Sequence, residues 1–432
     1  PSRHVHVGAS QPDTFYHDSA KRPFDLCAPL IGAAKADVVV IGAGFTGVSA
    51  ALDLAGAGLK VIVVEANTVG AGASGRNGGL CCSGWRRDQA WFEARLGNDD
   101  ARKLWRLAED AKADLLARLT ALKIDADYGS GQIFAAHTPR SMDHLDADAE
   151  HMARVYGETS AQRLDKDEVA RALGSAAFCG GWRDASAGHL HPLKLLFGMA
   201  GAARDAGAVF HENTRATRVS QQGARRLVAT AQGQIDTDYV LLCGDGYLDG
   251  IHAEVEARVL PIGSFVLATA PLDTDSPILP DNDSAMDTRF VVNYWRKSAD
   301  NRLIFGGGEK YTPNWPQDVA GFVRANLVKL YPQLAGVKIT HAWGGALGIT
   351  PTRLPFLRQV EEGVLSASGY SGQGVVLAPY FGRILAQVVQ GQMGQHDVVS
   401  RLPVPPFPGG RLLRWPLLTA AMSYYALRDK LP

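Results

Sequence analysis

The feature that most constrains this chain is a strand–turn–helix–strand segment near its start. Residues 36–66 read ADVVVIGAGFTGVSAALDLAGAGLKVIVVEA. Two short apolar runs flank an apolar helix, which is typical of parallel strands buried on both faces of a sheet. The turn Gly42–Gly47 has GxGxxG spacing. Because such glycines permit a tight turn, close approach of a pyrophosphate and close helix packing, the segment predicts a dinucleotide site at the helix N-terminus.

The residues that follow favour the same kind of ligand. Glu65 ends the second apolar strand, and an acid there accepts hydrogen bonds from ribose hydroxyls and disfavours NADP. Residues 70–79 then read GAGASGRNGG. The backbone amides of this loop, the hydroxyl of Ser74 and the guanidinium of Arg76 suit a phosphate with a ring system close by. The spacing alone does not say which dinucleotide is bound.

The composition disfavours several classes of protein. A chain of 432 residues predicts about two or three domains, with a core that needs no disulfide or metal. Lys+Arg 44 and Asp+Glu 44 leave no net charge, which argues against a nucleic-acid partner. Five cysteines without a CxxC pair argue against a disulfide framework or a zinc site. The polar first thirty residues and the lack of a long apolar run predict a cytoplasmic protein without an integral membrane segment.

Changes in the hydrophobic pattern predict an α/β fold. A Rossmann-like dinucleotide-binding domain, discontinuous in sequence, is joined to an α+β substrate domain with a mainly antiparallel sheet. The predicted divisions are 1–35, an N-terminal arm; 36–87, the first part of the dinucleotide domain; 88–180, a mixed helical segment and the start of the substrate domain; 181–254, the second part of the dinucleotide domain; 255–345, the antiparallel sheet of the substrate domain; 346–400, the third part of the dinucleotide domain; and 401–432, a C-terminal tail and helix.

Several spaced motifs resemble one known family. They read GASGRNGG, GHLHPLKL, SADNRLIFGGG, GYSGQGV and PFPGGRLLRWPLLTAAMSYYALRDKL. Together they resemble the FAD-dependent D-amino-acid-oxidase-like superfamily of amine and amino-acid oxidases, and within it the γ-glutamylputrescine oxidases and their near relatives. The resemblance runs from about residue 36 to the C-terminus. It implies that the dinucleotide is FAD, with its isoalloxazine at the junction of the two domains.

The resemblance also implies a set of cofactor-binding residues. They are Gly42, Gly44, Phe45, Thr46, Gly47, Glu65, Ala66, Gly72, Ala73, Ser74, Arg76, Asn77, Gly78, Gly79, Val219, Gly244, Gly369, Gly372, Gln373, Gly374 and Val375. The late turn Gly369–Gln373 would place helix N-terminal amides against the flavin pyrimidine. Some members of the superfamily attach FAD covalently through a cysteine near the equivalent of Ala346–Thr350. This chain has no cysteine after Cys243, so non-covalent FAD is expected.

The substrate pocket is predicted less sharply. Alternation along Arg289–Ser298 predicts two faces of a strand, one with Asn293, Trp295 and Lys297 and the other with Val292, Tyr294 and Arg296. The family lays this sheet over the flavin, so one of the two faces should line the pocket. The catalytic candidates are Tyr294, His191 and Trp343, and the substrate-binding candidates are Phe265, Tyr294, Arg296 and Trp343. Packing in the sheet is the alternative role for the aromatic residues. For His191 the alternative is a structural role in the loop where a helix begins at Pro192. No metal site is predicted.

The resemblance implies oxidation of a primary amine, γ-glutamylputrescine or a similar one. Hydride passes to flavin N5, O₂ is the expected acceptor, and the products are an aldehyde, ammonia and hydrogen peroxide. A lysine that assists oxygen activation in sarcosine-oxidase-type relatives falls near Arg302–Ile304, where this chain has none. Alternatives are a dehydrogenase that reduces a carrier, an oxidase of another amine or imino acid such as pipecolate, and an RNA-associated flavin domain. The sequence leaves the oligomeric state open.

Overall fold

The computed structural model describes residues 14–311, 315–409 and 420. The α-helices are α1 Phe15–Ser19, α2 Phe45–Gly56, α3 Gln89–Leu96, α4 Asn98–Ala121, α5 Pro139–Tyr156, α6 Lys166–Leu173, α7 Pro192–Asp205, α8 Ala253–Arg258, α9 Val319–Leu330, α10 Gly374–Val389 and α11 Gly394–Ser400. The strands are β1 Gly32–Lys35, β2 Val38–Ile41, β3 Val61–Val64, β4 Leu80–Cys81, β5 Gly129–Ala136, β6 Ala161–Leu164, β7 Gly180–His189, β8 Val209–His211, β9 Ala216–Gln222, β10 Arg225–Thr230, β11 Gly233–Thr237, β12 Tyr239–Leu242, β13 Leu260–Pro271, β14 Ser284–Asp287, β15 Tyr294–Lys297, β16 Arg302–Lys310, β17 Ile339–Ile349, β18 Phe356–Glu361 and β19 Val364–Ser368.

A six-stranded sheet forms the centre of the first domain. Its order is β18-β19-β12-β2-β3-β8, and all its pairings are parallel except that of β18 with β19. Every residue of β2 and β3 is buried, because a parallel sheet is covered on both faces. The sheet draws its strands from separate parts of the chain, which confirms the predicted α/β class with a discontinuous Rossmann-like domain.

Two glycines set how closely the helices of this domain pack. A Cβ on Gly47 of α2 would lie 1.9 Å from the carbonyl oxygen of Gly42, and one on Gly382 of α10 would lie 2.2 Å from the carbonyl oxygen of Thr46. No side chain fits at such distances. The first turn of α2 is therefore held against the end of β2 on one side and against α10 on the other.

A mainly antiparallel sheet of nine strands forms the second domain. Its order is β17-β13-β16-β15-β14-β5-β7-β4, with β6 also paired to β7. Trp295, Phe305 and Tyr331 are fully buried in a hydrophobic cluster on one side of it, together with residues of α9. This is the predicted second sheet, but it includes strands that the sequence divisions placed elsewhere.

Two of the predicted domain divisions are corrected by the sheet pairings. β7 was expected to begin the second part of the dinucleotide domain at residue 181, yet it pairs with β5 in the nine-stranded sheet. Residues 346–349 were expected in the third part, yet they continue β17 and pair with β13. Apolar runs identify strands, but they do not say which sheet a strand joins.

The N-terminal arm is less irregular than its composition suggested. Thr14 caps α1, and its side chain accepts a hydrogen bond from the amide of His17. Tyr16 is fully buried, and its ring lies 5.2 Å from that of Trp343 and 4.9 Å from that of His191. This short helix therefore covers part of the domain junction. Most of the expected C-terminal helix lies outside the described residues, and none of the described helices is long and apolar enough to cross a membrane.

Candidate active site

The first cavity lies at the carboxyl ends of β2, β3 and β12 and has a volume of about 190 Å³. Ligands in open α/β sheets bind at this edge of the sheet. The predicted residues in its wall are Gly42, Gly44, Glu65, Ala66, Gly72, Ala73, Ser74 and Gly244. Gly42 has φ +106°, and a Cβ there would lie 2.8 Å from the carbonyl oxygen of Cys243. The turn therefore needs glycine both for its backbone angle and for its closeness to the next strand.

Ser74 joins the glycine-rich loop to the start of α2. Its hydroxyl accepts a hydrogen bond of 2.9 Å from the amide of Phe45, and a Cβ on Gly44 would lie 2.9 Å from the same oxygen. The helix carries no side-chain cap of its own. Its positive N-terminal end thus faces a wall of backbone and hydroxyl groups, which suits a phosphate.

Glu65 holds two loops at the mouth of the first cavity. Its carboxylate accepts hydrogen bonds from the amides of Ala43, at 2.8 Å, and Asn67, at 2.9 Å. Desolvation raises the pKa of this half-buried carboxyl, and the two amides counteract the rise. Each carboxylate oxygen has a further lone pair, so the group can also accept from ribose hydroxyls.

Asp245 and Tyr247 were not among the predicted site residues, although both line the first cavity. The Asp245 carboxylate accepts from the amides of Gly369, at 2.6 Å, and Gly348, at 3.2 Å. The Tyr247 hydroxyl accepts from the amide of Ala346 at 2.8 Å. These contacts tie the end of β12 to β17 and to the end of β19. The Gly-Asp-Gly run after β12 was the sequence signal from which these two site residues could have been predicted.

The second cavity adjoins the first at the junction of the two sheets and has a volume of about 210 Å³. Both cavities are lined by Gly44, Ala73, Ser74, Cys243 and Asp245. The predicted residues found in the wall of the second cavity are Gly44, Phe45, Thr46, Ala73, Ser74, Arg76, Asn77, Gly78, Gly79, Tyr294, Gly372, Gln373, Gly374 and Val375. One elongated ligand can therefore run from the phosphate-binding turn to the domain junction.

The N-terminal end of α10 faces this second cavity. Ser371 and Gly372 have positive φ angles of 52° and 103°, and they turn the chain into the helix. Gln373 precedes the helix and accepts a weak hydrogen bond of 3.7 Å from the thiol of Cys82. Because a helix N-terminus stabilises negative charge, this end of the cavity suits the electron-rich side of a reduced ring system.

Arg76 connects the glycine-rich loop to the second domain. Its guanidinium donates to the carbonyl oxygen of Ala71 at 2.8 Å and to that of Gly344, on β17, at 2.6 Å. The indole of Trp343 donates to the carbonyl oxygen of Arg76 at 2.9 Å. The wall of the second cavity is therefore fixed across the domain junction.

Tyr294, a predicted catalytic and substrate-binding candidate, lies in the wall of the second cavity. Its ring occupies space that Gly78 and Gly306 leave free, since a Cβ on either would lie 2.5 Å and 2.0 Å from the ring, respectively. Its hydroxyl lies 3.4 Å from that of Ser264. Desolvation raises the pKa of Tyr294 to about 12, so the phenol stays neutral at physiological pH.

Phe265, a predicted wall residue, does not line either cavity. It is fully buried, with its ring 5.5 Å from those of Trp315 and Phe322. The neighbouring Ser264 lines the second cavity instead. Side chains alternate along a strand, so the prediction chose the wrong face of β13.

Arg296, Trp343 and His191 line neither cavity. Each of them contacts Tyr16 of α1 instead. Arg296 is fully buried and donates to the carbonyl oxygen of Gly78 at 2.7 Å and to the hydroxyl of Tyr16 at 3.3 Å. The His191 ring accepts from the amide of Lys194 and lies 3.0 Å from the hydroxyl of Ser19. Their polar groups serve packing contacts, and the predicted catalytic or substrate-binding roles of these three residues are not supported.

Three predicted cofactor residues also lie outside both cavities. Gly47 and Gly369 support the turns from behind: Gly47 packs on Gly42, and the amide of Gly369 binds Asp245. Val219 lies on β9, in a separate four-stranded sheet with the order β1-β11-β10-β9. Arg215 and Ala216, at the start of that strand, line the first cavity in its place.

These features fit an extended dinucleotide, and comparison with known proteins identifies the family. Residues 37–388 match the DAO family, described as FAD dependent oxidoreductase. The chain is 41% identical over 399 residues to the probable oxidoreductase OrdL of Rhizobium meliloti, covering 92% of this chain and 93% of that one. It is 37% identical over 423 residues to the gamma-glutamylputrescine oxidoreductase of Escherichia coli, covering 97% and 98%.

The chain belongs to the FAD-dependent oxidoreductase family. A similar solved structure is the glycine oxidase of Bacillus cereus, with a TM-score of 0.73, 20% identity and coverage of 86% of this chain and 99% of that one. At that identity the likeness shows the fold alone. The resemblance seen in the sequence motifs is confirmed, and the cofactor of this oxidoreductase is FAD.

Proposed function

We propose that this oxidoreductase is an oxidase of a primary amine, γ-glutamylputrescine or one closely similar to it, with O₂ as electron acceptor. The supporting comparison is the 37% identity to a gamma-glutamylputrescine oxidoreductase over nearly the whole of both chains. The observation that carries the proposal is the second cavity, which is lined both by the N-terminal end of α10 and by the neutral phenol of Tyr294. The cytoplasmic location stays a prediction.

The two cavities suggest how the chain would hold FAD. The turn Gly42–Gly47, Glu65 and the loop of residues 70–74 would hold the adenosine and pyrophosphate parts in the first cavity. Residues of α10's N-terminal end would hold the isoalloxazine in the second. Cys82 and Cys243 line the second cavity, and burial raises the pKa of both thiols. A protonated thiol is a poor nucleophile, which supports non-covalent binding.

Bound FAD would accept a hydride equivalent from the carbon beside the amine and pass the electrons to O₂. The chain's own contribution is to position the amine and exclude water from it. A partly dry pocket lowers the pKa of an amine, so the nitrogen lone pair becomes available. The neutral hydroxyl of Tyr294, with Ser264 beside it, can donate or accept a hydrogen bond there. The imine product would leave the pocket and be hydrolysed by solvent water, so the overall products would be the aldehyde, ammonia and hydrogen peroxide.

The first test is the visible spectrum of the purified protein as candidate amines are added without oxygen. Bleaching by γ-glutamylputrescine, followed by recovery in air with release of hydrogen peroxide, is the expected result. Bleaching that only a carrier such as a quinone reverses would make the protein a dehydrogenase. Bleaching only by pipecolate or another amine would reject the substrate and keep the chemistry. No response to any amine, together with tight RNA binding at physiological salt, would overturn the proposal.

A further inference from the structure

Three charged side chains line the second cavity without a role in the site described so far. They are Arg86, Glu309 and Arg353. Arg86 follows β4, Glu309 lies near the end of β16, and Arg353 lies in the loop between β17 and β18. Three separate parts of the chain thus bring two positive charges and one negative charge to a single wall.

Arg86 has the strongest need of a partner. Its side chain is half-buried, and among the described residues it makes no hydrogen bond or ion pair. Desolvation lowers its pKa, and the positive charge of Arg353 lowers it further. A desolvated guanidinium is costly unless an anion pairs with it. A ligand carboxylate in the cavity would supply that anion.

Arg353 is placed to share the same anion. Its backbone has a positive φ of 61°, and its amide donates to the carbonyl oxygen of Thr350 at 3.1 Å. Its guanidinium lies over the ring of Phe290, 5.1 Å from the centroid. Two guanidinium groups near each other repel, and a carboxylate between them would turn that repulsion into attraction on both sides.

Glu309 adds the opposite charge to the same wall. Its carboxylate accepts a hydrogen bond of 2.5 Å from the hydroxyl of Tyr311, which orients it. It is near enough to Arg86 to raise the pKa of that residue and near enough to Tyr294 to raise the pKa of the phenol. A carboxylate beside two guanidinium groups matches a ligand that carries an ammonium next to its own carboxylate.

We propose that Arg86 and Arg353 bind the carboxylate, and Glu309 the ammonium, of an α-amino-acid group at the far end of the amine substrate. This rests on the proposed function, because it assigns the end of the substrate opposite to the reacting amine. Met286 and Val292 also line the cavity and offer apolar surface for a methylene chain between the two ends. The three charged residues then set substrate specificity by recognising a zwitterion.

The experiment compares four amides of putrescine in the wild-type holoenzyme. The γ-glutamyl amide carries both charges, the glutaryl amide only the carboxylate, the γ-aminobutyryl amide only the ammonium, and the butyryl amide neither. We expect kcat/KM to be highest for the γ-glutamyl amide and to fall about 10- to 100-fold for each charge removed, chiefly through KM. Equal KM values for all four amides would overturn the inference and leave the proposed function intact.

Charge-removing variants assign the effect to residues. In Arg86→Gln, the preference for the γ-glutamyl over the γ-aminobutyryl amide should fall about 10- to 100-fold, since these two amides differ only by the carboxylate. In Glu309→Gln, the preference for the γ-glutamyl over the glutaryl amide should fall by a similar factor. Arg171→Gln, on the exposed surface of α6, is the matched control and should change neither ratio.

The outcomes separate this inference from the proposed function. If no γ-glutamylated amine reduces the flavin of the wild type, the proposed function fails, and this inference fails with it. If the wild type oxidises the γ-glutamyl amide but Arg86→Gln and Glu309→Gln lower kcat for all four amides equally, the residues act at the reacting end and the inference is wrong. Should either variant lose its flavin, the wild-type amide series alone decides.

Discussion

The first cavity and the second cavity adjoin and share five residues, yet only the second also draws on the strands of the antiparallel sheet. The first is lined largely by turns that follow parallel strands, where glycines bring backbone groups close to a ligand. The second shares the start of α2 and the glycine-rich loop, and it adds the N-terminal end of α10 and residues of β15, β16 and β17 from the other sheet. A backbone-built site depends on local spacing, and a side-chain-built site depends on how separate elements meet. The following predictions test that difference, starting with the largest effect.

The first cavity should fail completely when its backbone spacing is broken. In Gly47→Val, the new Cβ would lie 1.9 Å from the carbonyl oxygen of Gly42. We expect the free energy of unfolding to fall by at least about 3 kcal/mol, with loss of bound FAD. Denaturant unfolding and the ratio of flavin to protein absorbance measure this.

The matched control lies on the same helix. A Cβ on Gly56 meets nothing within 4 Å, so Gly56→Ala should be neutral or stabilising by up to about 1 kcal/mol. If Gly47→Val kept its flavin and its stability, the first cavity would not depend on backbone spacing as described.

The second cavity should lose activity and keep its cofactor when one side chain is displaced. In Gly306→Ala, the new methyl would lie 2.0 Å from the ring of Tyr294 and push the ring into the cavity. We expect kcat/KM to fall about 100-fold, because a shift of about 1 Å in a positioning group has effects of that size. Steady-state kinetics, normalised to the FAD content, separates a loss of activity from a loss of cofactor. The control is Gly336→Ala, because nothing lies within 4 Å of a Cβ at that position. Loss of FAD in proportion to activity would contradict this account.

Behind the cavity wall, His189 and His191 should affect stability instead of catalysis. Desolvation lowers the pKa of His189 to about 4 and that of His191 to about 3, from 6.5. The unfolded chain therefore binds protons that the folded chain does not. The two neutral histidines contribute fully to the free energy of unfolding above about pH 6.5. This contribution is lost as the pH falls toward 3 or 4, by up to about 1.4 kcal/mol per pH unit for each histidine.

His191→Gln tests this placement directly. The variant should show a shallower loss of unfolding free energy between about pH 6.5 and pH 4 than the wild type. The pH profile of kcat should stay the same, because His191 lines neither cavity and its ring contacts Ser19 and Tyr16 of α1. A shift in that kinetic profile would instead place His191 at the reacting amine.

The smallest expected effect concerns the edge of the first cavity. Arg215 lines that cavity and Val219 does not. Arg215 is exposed, so Arg215→Gln should raise the Kd of FAD by up to about 5-fold. Val219→Thr should leave the Kd unchanged. Titration of the apoprotein with FAD measures the Kd of both variants. A raised Kd in Val219→Thr and an unchanged Kd in Arg215→Gln would restore the original assignment of Val219.

Local patterns predicted the first cavity well and the second only in part. The turn Gly42–Gly47, Glu65 and the glycine-rich loop lie within forty residues of one another, so their spacing along the chain sets their spacing in the fold. Strand alternation divided Arg289–Ser298 into two faces without deciding between them, and Tyr294, chosen from one of these faces, does line the second cavity. The same rule could not show that α1 covers Trp343 or that β13 turns Phe265 away, because both depend on elements distant in sequence.

The sequence by itself determined the α/β class, the dinucleotide-binding turns and the likeness to FAD-dependent oxidoreductases, since each rests on residues close together in the chain. Only the tertiary structure decided which side chains reach the domain junction. There β4, β16 and β17 bring Arg86, Glu309 and Arg353 into one wall, although more than 200 positions separate Arg86 from the other two. Short-range spacing carries no information about such a meeting, because it arises from sheet order and the packing of one domain on the other.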